Sequence, residues 1–259
     1  MLLKLQGIYA GYDGSDVLKG VSLEVERGTT TCVVGPNGAG KSTVLRVLSG
    51  LLRPRAGEVI FDGRSIAGLT PRQILALGIV QVPQSHSLFP RMTVRENVRL
   101  GAFTLHDRAL VEQRLHEVEE LFPIVRERAR DKAGSLSGGQ QRLVEFARCL
   151  MLDPRMILLD EPSMGLDPRT FKQVIETIKV MQGSGRTILL VEQNARSGLS
   201  LANNGVVLES GQVRLEGSHE DILNNPEIGR LYLGGTLSDA SNSQKGQAHG
   251  ERRESAERN

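Results

Sequence analysis

Two cysteines, an aromatic content of 3% and 32 Lys and Arg against 30 Asp and Glu set the first limits on this 259-residue chain. So small a net charge gives little field to draw in a polyanion, and a nucleic-acid partner is not expected. Cys32 falls in a β-branched run and Cys149 on an apolar helix face, so both read as buried thiols suited to a reducing cytoplasm. Long apolar runs are missing too. The longest aliphatic stretch is Ile188-Leu189-Leu190-Val191, far short of the roughly 20 residues that cross a bilayer. Nor does the amino terminus read as an export signal, because Met1 to Leu5 already alternates like an edge strand. A role at a membrane would therefore run from its surface, through a partner. From Ser238 to Asn259 no aliphatic side chain exceeds alanine, so this tail cannot bury enough surface to fold and is expected to be disordered.

Glycine, by contrast, is placed with purpose. Gly35-Pro36-Asn37-Gly38-Ala39-Gly40-Lys41-Ser42 satisfies the phosphate-loop pattern G-x-x-x-x-G-K-[ST]. It follows Thr31-Cys32-Val33-Val34, a run that predicts a buried strand. Glycines at these positions permit close approach and let successive N–H groups point into one concavity, where phosphate oxygens can sit. A helix starting near Lys41 adds the positive end of its dipole. Lys41 is placed to reach the β- and γ-phosphates and the Ser42 hydroxyl to ligate Mg²⁺, with Thr43 beside it. No second phosphate loop and no internal repeat occurs.

Met156-Ile157-Leu158-Leu159 has no alternation, which suits a central parallel strand buried on both faces. Asp160 then emerges at the carboxyl end, where ligands of open α/β sheets collect, and suits an Mg²⁺ ligand. Glu161 is positioned to polarise an attacking water as general base. Further upstream, Leu136-Ser137-Gly138-Gly139-Gln140 reads as a helix start: Ser137 as cap, and Gln140 completing a capping box. Two successive glycines exceed what a cap requires and leave the helix end bare, open to a foreign phosphate.

The phosphate loop, the LSGGQ segment and the Asp160-Glu161 pair together resemble the ATP-binding cassette family, in which two cassettes close head to tail around ATP. The resemblance implies an α/β phosphate-loop NTPase cassette: a RecA-like parallel sheet core, a small antiparallel β subdomain and a helical signature subdomain. It implies ATP and Mg²⁺ as ligands, with Pro36, Asn37 and Ala39 completing the phosphate cradle. Ser137 and Gly139, with Gly138 and Gln140, would meet the γ-phosphate held by the partner cassette. Tyr12 lies where cassettes set an aromatic ring against adenine. Gln84, rather than the nearby Gln81, matches the glutamine that touches Mg²⁺ and links the site to the helical region. Asp167 matches the loop that crosses to the partner.

One position departs from the family pattern. Where most cassettes carry a histidine aimed at the γ-phosphate, Val191-Glu192-Gln193-Asn194 puts Gln193; an amide can donate a hydrogen bond but cannot carry a proton or a charge. The histidines His86, His106, His116, His219 and His249 lie elsewhere. Gln193 is thus expected to act beside Glu161 and Lys41 in catalysis. The Val-Glu-Gln-Asn form, with Phe89-Pro90-Arg91-Met92-Thr93-Val94 and Tyr232-Leu233-Gly234-Gly235, resembles the smaller ATP-binding subunits of branched-chain amino acid importers. Gln84 and Asp167 differ from that branch, which often has glutamate and alanine there. This resemblance implies an ATPase on the cytoplasmic face of the membrane, a second cassette, two transmembrane permease subunits and a solute-binding protein. The alternative class is a soluble cassette ATPase of translation, repair or cluster assembly. Translation-type cassettes usually carry two cassettes in one chain and repair-type ones insert a long coiled coil, and neither pattern is present.

Punctuation divides the chain. Residues 1–87 are read as the first part of the nucleotide-binding core, including short alternating strands over 1–30 and 56–66 that form an antiparallel sheet. Residues 88–151 turn helical. Val111, Leu115, Val118 and Phe122 mark one stripe on a helix ended by Pro123, and Leu143, Ala147 and Leu150 mark another. Arg126 to Lys132 is a charged connector. Residues 152–237 resume the strand–helix alternation of a parallel sheet, and 238–259 form the tail.

Overall fold

A computed structural model describes residues 1–85, 87–226 and 228 of the chain. His86, the Tyr232 to Gly235 segment and the 238–259 tail lie outside the described residues. In order, the chain forms β1 (Leu3–Tyr12), β2 (Ser15–Val25), β3 (Thr30–Val34), α1 (Lys41–Leu48), β4 (Ala56–Phe61), β5 (Arg64–Ser65), α2 (Pro71–Ala76) and β6 (Ile79–Val82). A helical stretch follows with α3 (Val94–Arg99), α4 (Arg108–Leu121), α5 (Pro123–Glu127) and α6 (Gly138–Leu150). Strands then return: β7 (Met156–Asp160), α7 (Pro168–Gly183), β8 (Thr187–Glu192), α8 (Ala195–Leu199), β9 (Asn204–Glu209), β10 (Gln212–Ser218) and α9 (His219–Leu223).

The larger sheet has the order β10-β9-β3-β8-β7-β6, parallel from β9 through β6. Its middle strands lack alternation because both faces are covered. Cys32, Val34, Ile157, Leu159, Ile188 and Leu190 face one apolar cluster with α6, α7 and α8, while Val33, Leu158, Leu189 and Val191 face a second with α1 and the smaller sheet. Both cysteines are buried, and burial lifts both thiols well above their ordinary range, Cys149 to about 12. The carboxyl ends of β3, β7 and β8 therefore open on one edge, carrying the phosphate loop, Asp160-Glu161 and Gln193.

Several sequence expectations need correction. Leu3 to Leu5 is not on an edge strand: the smaller sheet runs β2-β1-β4-β5, so β1 is bonded on both sides. Residues after 200 do not continue a purely parallel sheet, since β10 returns antiparallel to β9 through a tight turn at Ser210-Gly211. Pro123 does not simply end a helix. It opens the short α5 after α4 stops at Leu121, a place where its missing N–H costs nothing. The stripe on α6 is wider than Leu143, Ala147 and Leu150; Val144 and Phe146 are fully buried, whereas Leu143 is half-buried. The 126–132 connector packs on the start of α3, with the Val94 N–H donating to the Asp131 carbonyl at 2.9 Å.

Candidate functional site

The phosphate loop is shaped by what surrounds it. A Cβ on Gly35 would stand 2.1 Å from the Leu208 carbonyl oxygen, so no side chain fits between β3 and β9 there. Gly40 holds φ at 106° and would drive a Cβ to 2.7 Å from the Leu18 side chain. Gly40 caps α1 without any side-chain acceptor, so the first-turn N–H groups are left for a ligand. The Lys41 side chain runs back under this loop. Its ammonium donates to the Gly35 and Pro36 carbonyls at 2.8 and 3.1 Å and lies 3.5 Å from Glu161 Oε1.

Across the cleft, the Ser42 hydroxyl donates to Asp160 Oδ1 at 3.2 Å, although the two residues lie 118 positions apart. Burial lifts the Asp160 carboxyl above its ordinary range; the Ser42 hydrogen bond opposes this, while the Glu161 charge adds to it. A bound cation would relieve that cost. The hydroxyl and carboxylate are hard oxygen donors suited to Mg²⁺. Among the described residues no group of three or more His, Cys, Asp or Glu could hold a metal alone. The donor set therefore fits an ion that keeps waters and shares phosphate oxygens.

Glu161 follows directly after β7 and is 6% exposed. Its backbone is left-handed, with φ at 43°, and its N–H donates to the Val191 carbonyl at 2.9 Å. Gln84 turns its amide into the same place, donating to Glu161 Oε2 at 2.9 Å and contacting Met164 Sδ; Gln81 stays within β6. Gln193 is exposed just past the end of β8. Asn37, Lys41, Ser42, Gln84, Glu161 and Gln193 together line a cleft of about 420 Å³, within the size range of small-ligand sites. Thr43 lines it too, while Ala39 lies buried beneath the loop. Tyr12, at the end of β1, is 40% exposed. The Arg46 guanidinium donates to its hydroxyl at 2.8 Å and stands 5.6 Å over its ring.

Ser137, Gly138, Gly139 and Gln140 do not line this cleft. They start α6 with a full capping box: the Gln140 N–H donates to Ser137 Oγ at 3.3 Å, and the Ser137 N–H to Gln140 Oε1 at 3.1 Å. The two glycines do different things. Gly138 is exposed, but Gly139 is buried, and a Cβ there would meet Thr170 Cγ2 at 2.4 Å. Its missing side chain thus serves helix packing within the chain, a correction to the idea that both glycines bare the helix end. Asp167 likewise is more than part of a turn, because it caps α7 by accepting from the Arg169 and Thr170 N–H groups at 3.0 and 3.1 Å. A hydrogen bond from the Thr170 side chain, and after it these backbone ones, hold its carboxyl below the ordinary range. The starts of α6 and α7 therefore touch through Gly139 and Thr170, away from the chain's own phosphate loop.

One buried group escaped the sequence reading. Glu192, 4% exposed at the end of β8, accepts the Ser163 N–H at 3.1 Å. Burial raises its carboxyl above the ordinary range. It ties β8 to the loop that follows Glu161. A carboxylate closing an otherwise apolar strand was the available signal.

The comparisons with known proteins converge. The family model described as ABC transporter matches residues 18–164. The high-affinity branched-chain amino acid transport ATP-binding protein BraG of Pseudomonas aeruginosa is 37% identical over 90% of this chain and 100% of its own length. The probable branched-chain amino acid transport ATP-binding protein LivF of Archaeoglobus fulgidus is 34% identical over 90% of this chain and 99% of its own. The lipopolysaccharide export system ATP-binding protein LptB of Acidithiobacillus ferridurans is also 34% identical, over 90% and 97%. Among solved structures, an ATP-binding cassette of an ABC transporter in its ADP conformation superposes with a TM-score of 0.81 at 29% identity, covering 90% of this chain and 98% of that one. A dimeric post-hydrolysis cassette bound to ADP and Pi gives 0.73 at 28%, covering 84% and 99%. With a phosphate loop, an adjoining Asp-Glu pair and a capped LSGGQ helix in one fold, and with this identity along nine-tenths of its length, the chain belongs to the ABC transporter family as one of its ATP-hydrolysing cassettes.

Proposed function

We propose that this cassette energises a branched-chain amino acid importer, as a peripheral subunit on the cytoplasmic face of the membrane. In this reading two cassettes dimerise head to tail around two ATP, and closure drives two transmembrane permease subunits served by a solute-binding protein. The observation that carries the ATPase half is the meeting of Ser42 with Asp160 at 3.2 Å, and of Lys41 with Glu161 at 3.5 Å, beneath an uncapped helix start. The amino acid half rests on the similarity to BraG and LivF. No helix among the described residues is long and apolar enough to cross a membrane, which fits a subunit that acts through partners.

The roles follow from chemistry. Lys41 and the free N–H groups of the loop and of the first turn of α1 bind the phosphates of ATP. Ser42 and Asp160, with Gln84 nearby, would hold Mg²⁺, which when bound neutralises charge on the β- and γ-oxygens. Glu161 takes a proton from water, and Gln193 helps keep that water and the γ-phosphate in line. Tyr12 stacks on adenine. Ser137 and Gly139 serve the γ-phosphate of the partner's ATP, and Asp167 belongs to the loop that meets the partner.

Affinity purification from native membranes tests the assignment. Two permeases and a solute-binding protein should co-purify, and deleting the cassette should abolish uptake of labelled leucine, isoleucine or valine. Recovery of export permeases without a solute-binding protein would replace the importer with the LptB-like reading, which the 34% identity to LptB keeps in play.

Gln193 gives a finer test. Gln193→Ala should lower steady-state turnover of the assembled transporter by about 10- to 100-fold, the size of one lost positioning contact to charge. Gln193→His should keep activity and gain a pH dependence between about 6 and 7. Wild-type rates in Gln193→Ala would leave Glu161 and the backbone to position water alone.

A further inference from the structure

Four carboxylates are buried among the described residues: Glu145, Asp160, Glu161 and Glu192. Three of them have evident work. Asp160 and Glu161 belong to the cleft, and Glu161 lies beside Lys41. Glu145 pairs with Arg142 at 2.9 Å, and the two grip the loop around Gln84: Arg142 donates to the Pro83 carbonyl at 2.7 Å, and Glu145 accepts the Ser87 N–H at 2.5 Å. Glu192 has neither a cleft position nor a cation. No ion pair joins it to a Lys or Arg among the described residues.

A buried charge without a counter-ion is costly unless hydrogen bonds replace its water. Burial raises the Glu192 carboxyl, and hydrogen bonds from the Ser163 hydroxyl, the Ser163 N–H and the Gln193 N–H oppose that rise. All three are donors, which an acceptor-only carboxylate can satisfy and an amide can satisfy only in part. The side chain has little room to swing away. α8 lies directly on it, and a Cβ on Gly198 would stand 2.8 Å from Glu192 Cβ and 2.7 Å from Cys32 Sγ.

The donors belong to the two backbone segments that carry the reaction. Ser163 lies two residues past Glu161, and Gln193 follows Glu192 directly. Glu161 holds φ at 43°, a conformation that residues other than glycine seldom adopt and keep only where their surroundings fix it. The Glu161 N–H to the Val191 carbonyl, at 2.9 Å, anchors the start of this turn, and the Met164 N–H to the Glu161 carbonyl, at 3.1 Å, closes it. The Glu192 carboxylate, 3.1 Å from the Ser163 nitrogen, anchors its middle to β8.

We propose that Glu192 is a positioning residue, a strut that locks the turn carrying Glu161 against the end of β8 and so sets the base at a fixed separation from Gln193. The strut rests on the reading of Glu161 as general base. Glu192 does not line the nucleotide cleft, so it acts only through its neighbours.

Steady-state hydrolysis by the assembled transporter tests it. Glu192→Ala should lower kcat about 30-fold and leave KM within about 2-fold, the pattern of a misplaced base with substrate binding intact. Binding of a fluorescent ATP analogue to the full chain should also stay within about 2-fold of wild type. Glu192→Gln keeps one acceptor for the Ser163 N–H and should return kcat to within about 5-fold of wild type. In a Glu161→Gln parent, Glu192→Ala should change the residual hydrolysis by less than about 2-fold, because no base is left to misplace. If Glu192→Ala does not fold, Ser163→Ala decides the matter: it removes only the hydroxyl donor, and its fall in kcat of about 3-fold should likewise vanish in the Glu161→Gln parent. The strut is overturned by wild-type kcat in the variant, by analogue binding that falls in step with kcat, or by the same fold-loss in the Glu161→Gln parent. Near-normal turnover of that parent alone would instead overturn the base reading, and the strut with it.

Discussion

Glu161→Gln should bind ATP as wild type does and hydrolyse it about 10²- to 10⁴-fold more slowly, the range attributed to a positioned general base. The exchange is nearly isosteric, so the left-handed backbone at φ 43° and the N–H to the Val191 carbonyl should survive. The new amide keeps an oxygen that can accept from Gln84, now 2.9 Å from Glu161. What disappears is the negative charge beside Lys41 and the capacity to take a proton. In the proposed head-to-tail dimer hydrolysis reopens the closed state, so the variant should accumulate as a dimer with ATP and Mg²⁺. Light scattering during size exclusion, together with phosphate release, reads both effects. Near-normal turnover would remove Glu161 from the base role.

The second large effect separates the two halves of the site. Lys41→Ala should weaken ATP binding by about 100-fold or more, the size of two lost charge-assisted hydrogen bonds to phosphate. Ser137→Arg should leave binding by the isolated subunit unchanged, because Ser137 does not line its own cleft. Turnover should nevertheless stop, since arginine places bulk at the helix start that, in the proposed dimer, meets the partner's γ-phosphate. The cap is lost as well, at a cost of about 1 kcal/mol. Ser137→Ala removes the cap without adding bulk: it should lower Tm and, with the hydroxyl assigned to the partner's γ-phosphate also gone, reduce turnover less than Ser137→Arg does. Mixing Lys41→Ala with Ser137→Arg puts both lesions in one composite site and leaves the other intact. The mixture should therefore recover activity that neither variant has alone. Wild-type turnover in Ser137→Arg would sink the head-to-tail arrangement.

Much of this was legible because the deciding physics is local. The phosphate loop needs glycines at fixed offsets from a lysine, and a capping box needs Ser137 and Gln140 three residues apart; spacing along the chain reports both. The unbroken apolar runs before Asp160 and Glu192 report strands covered on both faces, without showing which helices cover them. Cys32 reads as buried for the same reason, and Cys149 because it falls on an apolar helix face.

Other features depend on what lies across the fold. Leu3 to Leu5 alternates equally well at an edge or in the middle of a sheet; β4, paired from 56 onward, decided that β1 is central. Gly139 looks like a bare helix end until Thr170 of α7 comes to within a Cβ's reach. Asp167 became a helix cap through the backbone that follows it. The Arg142–Glu145 pair gave no motif, because its partner Ser87 is distant in sequence, and Glu192 showed only as a carboxylate closing an apolar strand, with its partner Ser163 elsewhere in the chain. The sequence by itself thus determined the nucleotide chemistry and the strands and caps that present it, since backbone geometry and burial leave periodic traces. The order of the smaller sheet, the packing of α6 on α7 and the grip of α6 on the Gln84 loop were decided only in the tertiary structure, where long-range pairing and desolvation act between residues whose spacing in the chain carries no signal.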